Sequence, residues 1–242
     1  MSKTTIITGA SRGIGKACAI ELAKHFDTVV INSFRHTEDL KQVKQEIENI
    51  GAKCLTYIGD IGDYEFAASM MQDVLNQCDN IDLLVNNAGI SYIGLLTDMT
   101  IDDWNRLIST NLTSVFNCCK LLVPHMVSRK SGHIINISSM WGLSGASCET
   151  AYSATKGGVN AFTKALAKEL APSNIRVNAL ACGVIDTQMN QALTDEDRKE
   201  LCDAIPSCRF GHAEEIAQMV WQLYNSPSYL TGEVIKIDGG YL

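Results

Sequence analysis

No stretch of this 242-residue sequence approaches the ~20 consecutive apolar residues that a membrane-spanning helix requires. The apolar residues near the start meet a glycine at Gly9 before any run of signal-peptide length develops. The expectation is therefore a cytoplasmic, unexported protein with no membrane partner. Positive charge is scarce, with 20 Lys and Arg against 27 Asp and Glu and a net charge of -7, and the basic residues are scattered. A chain without a basic stripe is not built to grip a phosphate backbone, so nucleic acid is excluded as the expected partner. Nine cysteines include no C-x-x-C pair and no histidine at ligand spacing, which argues against a disulfide framework and against a metal site. Such thiols behave as small buried hydrophobes. Proline is limited to four residues and no low-complexity tract or linker interrupts the chain, so residues 1–242 are expected to form one domain.

What is present is alternation. Short β-branched runs recur at Thr4–Thr8, Thr28–Ser33, Lys53–Ile58, Ile81–Val85, His133–Ser138, Ile175–Leu180 and Glu233–Ile237. Between them lie segments with helical spacing, such as Ile14, Ala17, Cys18 and Leu22, or Phe66, Met70 and Val74. Strand and helix in regular alternation imply right-handed crossovers, hence an α/β fold with a seven-stranded parallel sheet and helices on both faces. One stretch, 186–209, is poorly patterned and contains the charged run Asp195-Glu196-Asp197-Arg198-Lys199-Glu200. It reads as a solvated helix, and its place after the sixth strand is also where a substrate lid would sit.

The first strand runs into Thr8-Gly9-Ala10-Ser11-Arg12-Gly13-Ile14-Gly15, which opens a helix. Gly9 permits a tight turn, Gly13 admits a pyrophosphate close to the backbone, and Gly15 lets helix and strand pack closely. The N–H groups of the helix start then face the phosphates. A glycine-rich turn alone says little, but others accompany it. Asn86-Asn87-Ala88-Gly89 follows the fourth strand, Asn111 lies in the next helix and Ser139 follows the fifth strand. Tyr152-Ser153-Ala154-Thr155-Lys156 opens the helix after that, and Asp238-Gly239-Gly240 comes near the end. The G-x-x-x-G-x-G spacing and the order of these motifs resemble short-chain dehydrogenases/reductases from Thr8 to Gly240, essentially the whole chain.

That resemblance implies a Rossmann-type, doubly wound sheet and a nicotinamide cofactor. Gly9, Ser11, Arg12, Gly13, Ile14 and Gly15 would hold its pyrophosphate. Asp60 and Ile61 would hold the adenine, and Asn87, Ala88 and Gly89 would line the cleft beside it. After the sixth strand, Gly183, Ile185 and Thr187 match family positions near the nicotinamide and phosphates. The choice of nicotinamide is set at the end of strand two, where an acid accepting from the ribose 2′-OH would repel a 2′-phosphate. Here the segment is Ile31-Asn32-Ser33-Phe34-Arg35, with no acid. Ser33 takes the acid's position, and Arg12 and Arg35 suit a phosphate dianion, so the expected cofactor is NADP(H).

Ketone reduction requires a hydride at carbon and a proton at oxygen. Tyr152 and Lys156 stand at i and i+4, so a helix puts both on one face. A nearby ammonium and a positive nicotinamide would lower the phenol's pKa from its ordinary ~10 towards neutrality. By resemblance, Lys156 also holds the nicotinamide ribose, Ser139 donates to the substrate oxygen, and Asn111 positions a water that relays protons. Ser139 is preferred to its neighbour Ser138 because it lies thirteen positions before Tyr152. One departure stands out: where the family usually has Pro-Gly after strand six, this chain has Cys182-Gly183, which frees the loop and raises the idea of a nucleophilic thiol.

Two substrate readings remain open. The whole pattern is similar to 3-oxoacyl-[acyl-carrier-protein] reductases, whose acidic partner would dock on Arg129 and Lys130, although Ser173 takes the second basic position. Locally, Ser138-Ser139-Met140-Trp141-Gly142 with Gly145-Ala146-Ser147-Cys148-Glu149 resembles reductases of 5-aminopentanone attached to elongation factor P. Met140, Trp141 and Glu149 would then form the substrate wall, with Trp141 on an alkyl chain and Glu149 on an ammonium. A third reading, from another class, is an NADP(H)-binding sensor or scaffold without turnover. Family members are usually tetramers, and the apolar run around Cys118, Cys119, Leu122 and Met126 suits a homotetramer.

Overall fold

The computed structural model describes residues 2–191 and 193–242. In chain order the elements are β1 Thr4–Ile7, α1 Gly13–Ala23, β2 Thr28–Ser33, α2 Thr37–Ile50, β3 Lys53–Ile58, α3 Tyr64–Gln77 and β4 Leu83–Asn86. They continue through α4 Ile101–Ile108, α5 Ser114–Arg129, β5 Gly132–Ser139, α6 Trp141–Ser144, α7 Thr150–Leu170 and β6 Ile175–Cys182. Last come α8 Asp195–Ala204, α9 Ala213–Tyr224 and β7 Val234–Ile237.

All seven strands are parallel and stand in the order β3-β2-β1-β4-β5-β6-β7. Each expected strand is present. The fourth begins at Leu83 rather than Ile81, because the ladder with β1 starts at the Thr5–Leu83 pair. The fifth and sixth run further than their apolar cores suggest, pairing in register as far as Ser139 and Cys182. Chain order reverses at β1, which has β2 on one side and β4 on the other. In a doubly wound sheet such a switch point opens a crevice beyond the carboxyl ends of the strands.

Alternation along the strands divides the core into two layers. Ile7, Ile31 and Leu83 face one way, with Leu22 of α1, Val43 of α2 and Val220 of α9 packed on them. Ile6, Val30 and Leu84 face the other, against Met70 of α3, Leu122 of α5 and Val159 of α7. Cys18, Cys118 and Cys119 are fully buried in these layers, as the sequence implied for most of its thiols. Two helix starts carry clear side-chain caps: Asp63 accepts from Phe66 N at 2.9 Å, and Thr100 and Asp103 form a capping box on α4. No side chain caps α1, so its first N–H groups remain available at the crevice.

The charged run does form a helix, α8, which buries none of its residues. Arg198 ties it down, pairing with Asp186 at 3.0 Å and stacking over Phe210 at 4.7 Å. Among the described residues no helix is long and apolar enough to cross a membrane.

Candidate active site

The crevice is an open cleft of about 820 Å³ beyond the carboxyl ends of β1, β4, β5 and β6. At its floor the turn after β1 is tied to the turn after β4. The Thr8 hydroxyl accepts from Asn87 N and Ala88 N, both at 3.0 Å, while Asn87 Nδ2 donates to the carbonyls of Thr8 and Gly9 at 2.9 and 3.0 Å. Gly9 stands at φ +64, and a Cβ there would lie 2.8 Å from Ala88 Cα. A Cβ on Gly15 would collide with the Gly9 carbonyl oxygen and the Asn87 amide. Glycine is thus enforced by close backbone approach at both positions, and the result is an open cradle at the uncapped start of α1.

At the adenylate end, Ser33 closes β2 with its hydroxyl donating to Ser11 at 3.2 Å, and both serines are buried. Arg12 and Arg35 are exposed on the rim, Arg35 lying over the Phe34 ring at 4.5 Å. Asp60 accepts from Gly62 N at 2.8 Å, which fixes the carboxylate, and Ile61 is buried beside it. This donor set suits a dinucleotide carrying an extra phosphate: backbone N–H groups at the cradle, two free guanidiniums at the rim, and no acid ending β2.

At the other end, Ser139 closes β5 directly opposite Cys182 of β6. Tyr152 and Lys156 project from adjacent turns of α7, with Lys156 Nζ 5.7 Å from the phenol ring centroid. Lys156 is buried, its ammonium donates to the Ile137 carbonyl at 2.9 Å, and burial pushes its pKa down to about 8. Burial likewise raises the Tyr152 phenol above its ordinary value; a hydrogen bond from the Ser139 side opposes this, and the charges of Glu149 and Cys182 add to it. This amends the sequence expectation. In the protein alone desolvation outweighs any help from Lys156, so the phenol is held protonated, the form required to donate a proton to a ketone.

Ser138 and Ser139 separate clearly. The Ser138 hydroxyl donates to the Lys156 carbonyl at 3.3 Å, which ties it to the backbone of α7, whereas Ser139 stands against the phenol. Asn111 is buried in a π-helical turn, Ser109–Thr113, between α4 and α5. Its Oδ1 accepts from Ile90 N at 2.8 Å, and its Nδ2 donates to the Ile90 carbonyl and the Thr155 hydroxyl at 2.9 and 3.1 Å. Both amide hydrogens are therefore used, leaving one lone pair of Oδ1 for a water. A Cβ on Gly89 would lie 3.5 Å from both that oxygen and Lys156 Nζ, so the amide and the ammonium share one corner of the cleft.

Gly183, Ile185 and Thr187 border the cleft after β6, and among the described residues of the stretch 186–209 only those at its start, as far as Asn190, reach it. Cys182 also lines the cleft, but burial pushes its thiol up to about 12, which removes the nucleophile idea. None of the three expected substrate-wall residues, Met140, Trp141 and Glu149, lines this cleft. Met140 is 1% exposed, its N–H bound to the Cys182 carbonyl, where the chain leaves β5 and turns into α6. Trp141 packs edge-on against Tyr241 at 5.7 Å and hydrogen-bonds the Glu149 carboxylate, which burial holds above the usual carboxylate range. The Glu149 charge is close enough to act on the phenol.

Arg129 and Lys130 end α5, immediately before β5 begins, so they lie at the opposite end of the sheet from this chain's own cleft. Arg129 is moreover engaged with Asp82 at 3.6 Å and the Ile81 carbonyl. Sequence reasoning missed Ser91 and Tyr92, and also Arg106 and Leu107 of α4 with Thr110 of the π-helical turn that follows, all of which line the cleft. The i, i+3, i+4 spacing on the helix after the Asn86–Gly89 turn was the available signal for the second group.

The short chain dehydrogenase family matches residues 3–198. The chain is 41% identical to the 3-oxoacyl-[acyl-carrier-protein] reductase FabG of Thermotoga maritima, over 98% of this chain and 97% of that one. It is 39% identical to the FabG of Staphylococcus aureus, over 99% and 98%. Among solved structures, YwfH, an NADPH dependent reductase involved in bacilysin biosynthesis, superposes with a TM-score of 0.93 at 28% identity, covering 100% of this chain and 99% of that one. The 3-oxoacyl-[acyl-carrier protein] reductase from Brucella melitensis also gives 0.93, at 33% identity, covering 99% and 91%.

Proposed function

This chain belongs to the short chain dehydrogenase family, and we propose that it is an NADPH-dependent 3-oxoacyl-[acyl-carrier-protein] reductase, turning a ketone into a secondary alcohol. It is an oxidoreductase acting between CH–OH and C=O. The observation that carries the reading is a protonated phenol, a buried ammonium and a serine hydroxyl gathered at one end of a cleft whose other end is a glycine cradle. The names of relatives near 40% identity supply the acyl thioester.

NADPH, when bound, supplies the hydride. Gly9, Ser11, Gly13, Ile14 and Gly15 hold its pyrophosphate; Ser33, Arg12 and Arg35 take the 2′-phosphate; Asp60 and Ile61 seat the adenine, and Asn87, Ala88 and Gly89 border the sugar. Gly183, Ile185 and Thr187 cover the nicotinamide side, and the segment 186–209 works as a lid within one domain, 1–242. Ser139 donates to the substrate oxygen and Tyr152 gives it a proton. Lys156 passes a replacement proton towards the phenolate and is itself reprotonated from solvent through a water held by the free lone pair of Asn111 Oδ1. The protein is expected to work as a homotetramer in the cytoplasm.

One observation favours a second substrate. Glu149, a half-buried carboxylate within electrostatic reach of the phenol and hydrogen-bonded to Trp141, suits a ketone bearing an ammonium, as in 5-aminopentanone on elongation factor P. Steady-state assays of acetoacetyl thioester and of the modified factor, each with NADPH and NADH, decide between them. The proposal expects thioester turnover, with NADPH preferred roughly tenfold or more, and with that preference lost in Arg35→Ala. Turnover of the modified factor alone, abolished in Glu149→Gln, would transfer the assignment to the second substrate. Equal use of both nucleotides would contradict the 2′-phosphate assignment.

A further inference from the structure

The seven arginines of this chain divide into two groups. Arg129, Arg198 and Arg209 pair with Asp82, Asp186 and Glu215 at 3.6, 3.0 and 2.7 Å. Arg176 donates to the carbonyls of Leu223, Tyr224 and Ser226. The other three, Arg12, Arg35 and Arg106, make no ion pair and no side-chain hydrogen bond with any described residue, and all three line the cleft. Arg12 and Arg35 have a task in the reading above. Arg106 has none.

Its position is fixed from several directions. The Thr100–Asp103 capping box sets the start of α4, and buried Leu107 anchors the helix one residue beyond Arg106. Asp103, Arg106, Leu107 and Thr110 fall on one face and all border the cleft. The end of α4 abuts the turn that carries Asp60 and Ile61: a Cβ on Gly62 would lie 2.6 Å from Ser109 Oγ. That turn is braced by Asn117 Nδ2, which donates to the carbonyls of Ile61 and Gly62 at 3.2 and 3.0 Å. Arg106 therefore borders the cleft beside the turn that carries Asp60 and Ile61, the end assigned to the adenine. Asp102 and Asp103 lie within one turn of it, yet neither pairs with it; the Asp103 carboxylate is taken by the Thr100 hydroxyl at 2.6 Å.

We infer that Arg106 closes the adenine subsite from the α4 side, laying its guanidinium plane against the face of the base while Asp60 takes the base's edge. A guanidinium is planar and weakly hydrated, so it stacks on a π-face, which an ammonium does poorly. The inference rests on the NADP(H) reading and adds to it a contact made equally with NADPH and NADH, because both carry the same base.

Isothermal titration of wild type, Arg106→Ala and Arg106→Lys with NADPH, NADH and nicotinamide mononucleotide (reduced) tests this. Both variants should bind NADPH and NADH about five- to twentyfold more weakly, to the same degree, with binding of the mononucleotide unchanged. Arg106 is exposed, so the melting temperature should stay within a degree or so and serves as the folding control. Unchanged NADPH binding in Arg106→Ala would overturn the inference and leave the cofactor reading standing. A loss confined to NADPH and restored by lysine would overturn it too, placing the side chain on the 2′-phosphate. A wild type that binds neither dinucleotide would remove the cofactor reading itself.

Discussion

Replacing Tyr152 with phenylalanine should lower kcat by roughly 10³-fold or more while leaving the Kd for NADPH within about twofold. The expectation follows from where the phenol stands. Its oxygen is the acidic group that Ser139 and Lys156 flank, and burial keeps it protonated in the protein alone. Phenylalanine keeps the ring, and with it the packing at the start of α7, but removes the proton that the substrate oxygen must receive. The Ser139 hydroxyl is far too weak an acid to replace it. Nucleotide affinity depends on other groups, chiefly the uncapped start of α1 and the unpaired guanidiniums. Steady-state kinetics together with fluorescence titration of NADPH separate the two effects. Retained turnover would remove Tyr152 from the chemistry.

Lys156→Met should divide in an unusual way, with turnover falling by roughly 10³-fold while the protein without cofactor becomes more stable. Lys156 is buried, and among the described residues the one hydrogen bond its ammonium makes is to the Ile137 carbonyl at 2.9 Å. A pKa of about 8 in place of 10.5 means that keeping the ammonium charged at neutral pH costs roughly 3 kcal/mol relative to the unfolded chain. The sign follows from proton counts. Between about pH 8 and 10.5 the unfolded chain holds more protons at this residue, so this contribution to stability improves as pH rises through that window; below it, the penalty is felt in full. Methionine has nearly the same length, fills the same space and carries no charge, so most of that cost is recovered. Denaturant unfolding at pH 7 with and without NADPH checks this. The variant should be the more stable of the two without nucleotide, and it should gain less from adding it. A variant that is less stable without nucleotide would mean that the ammonium is better solvated than its burial implies.

The parts of this account that were legible in the sequence share a property: they depend on periodicity or on local backbone need. Strand and helix periods divide the core into its two layers, so residues such as Ile6 and Ile7 betray their opposite faces by position alone. Gly9 and Gly15 announce the cradle because no other residue fits there, and the i, i+4 spacing of Tyr152 and Lys156 survives any docking of the helix. What was not legible depends on how elements meet. Tyr241 packs edge-on against Trp141 from a hundred positions away, a contact that no local pattern announces. Met140 follows Ser139, yet the turn from β5 into α6 carries it inward to 1% exposure. That Arg129 and Lys130 stand beside the start of β5, at the far end of the sheet from this chain's own cleft, follows only from the parallel topology. The face of α4 that meets the adenylate end is fixed by its capping box and by Leu107, neither of which carries chemistry of its own.

Titration of the Tyr152 phenol by difference absorbance, with and without NADP⁺, reaches the central claim most directly. Without nucleotide, burial should keep this phenol protonated beyond the range of an ordinary tyrosine. With NADP⁺ bound, the positive ring and the Lys156 ammonium favour phenolate, so a tyrosinate signal absent from Tyr152→Phe should emerge at distinctly lower pH. A wild-type curve that NADP⁺ does not move, or one identical to that of Tyr152→Phe, would contradict the assignment of this phenol as the acid and base of the reaction.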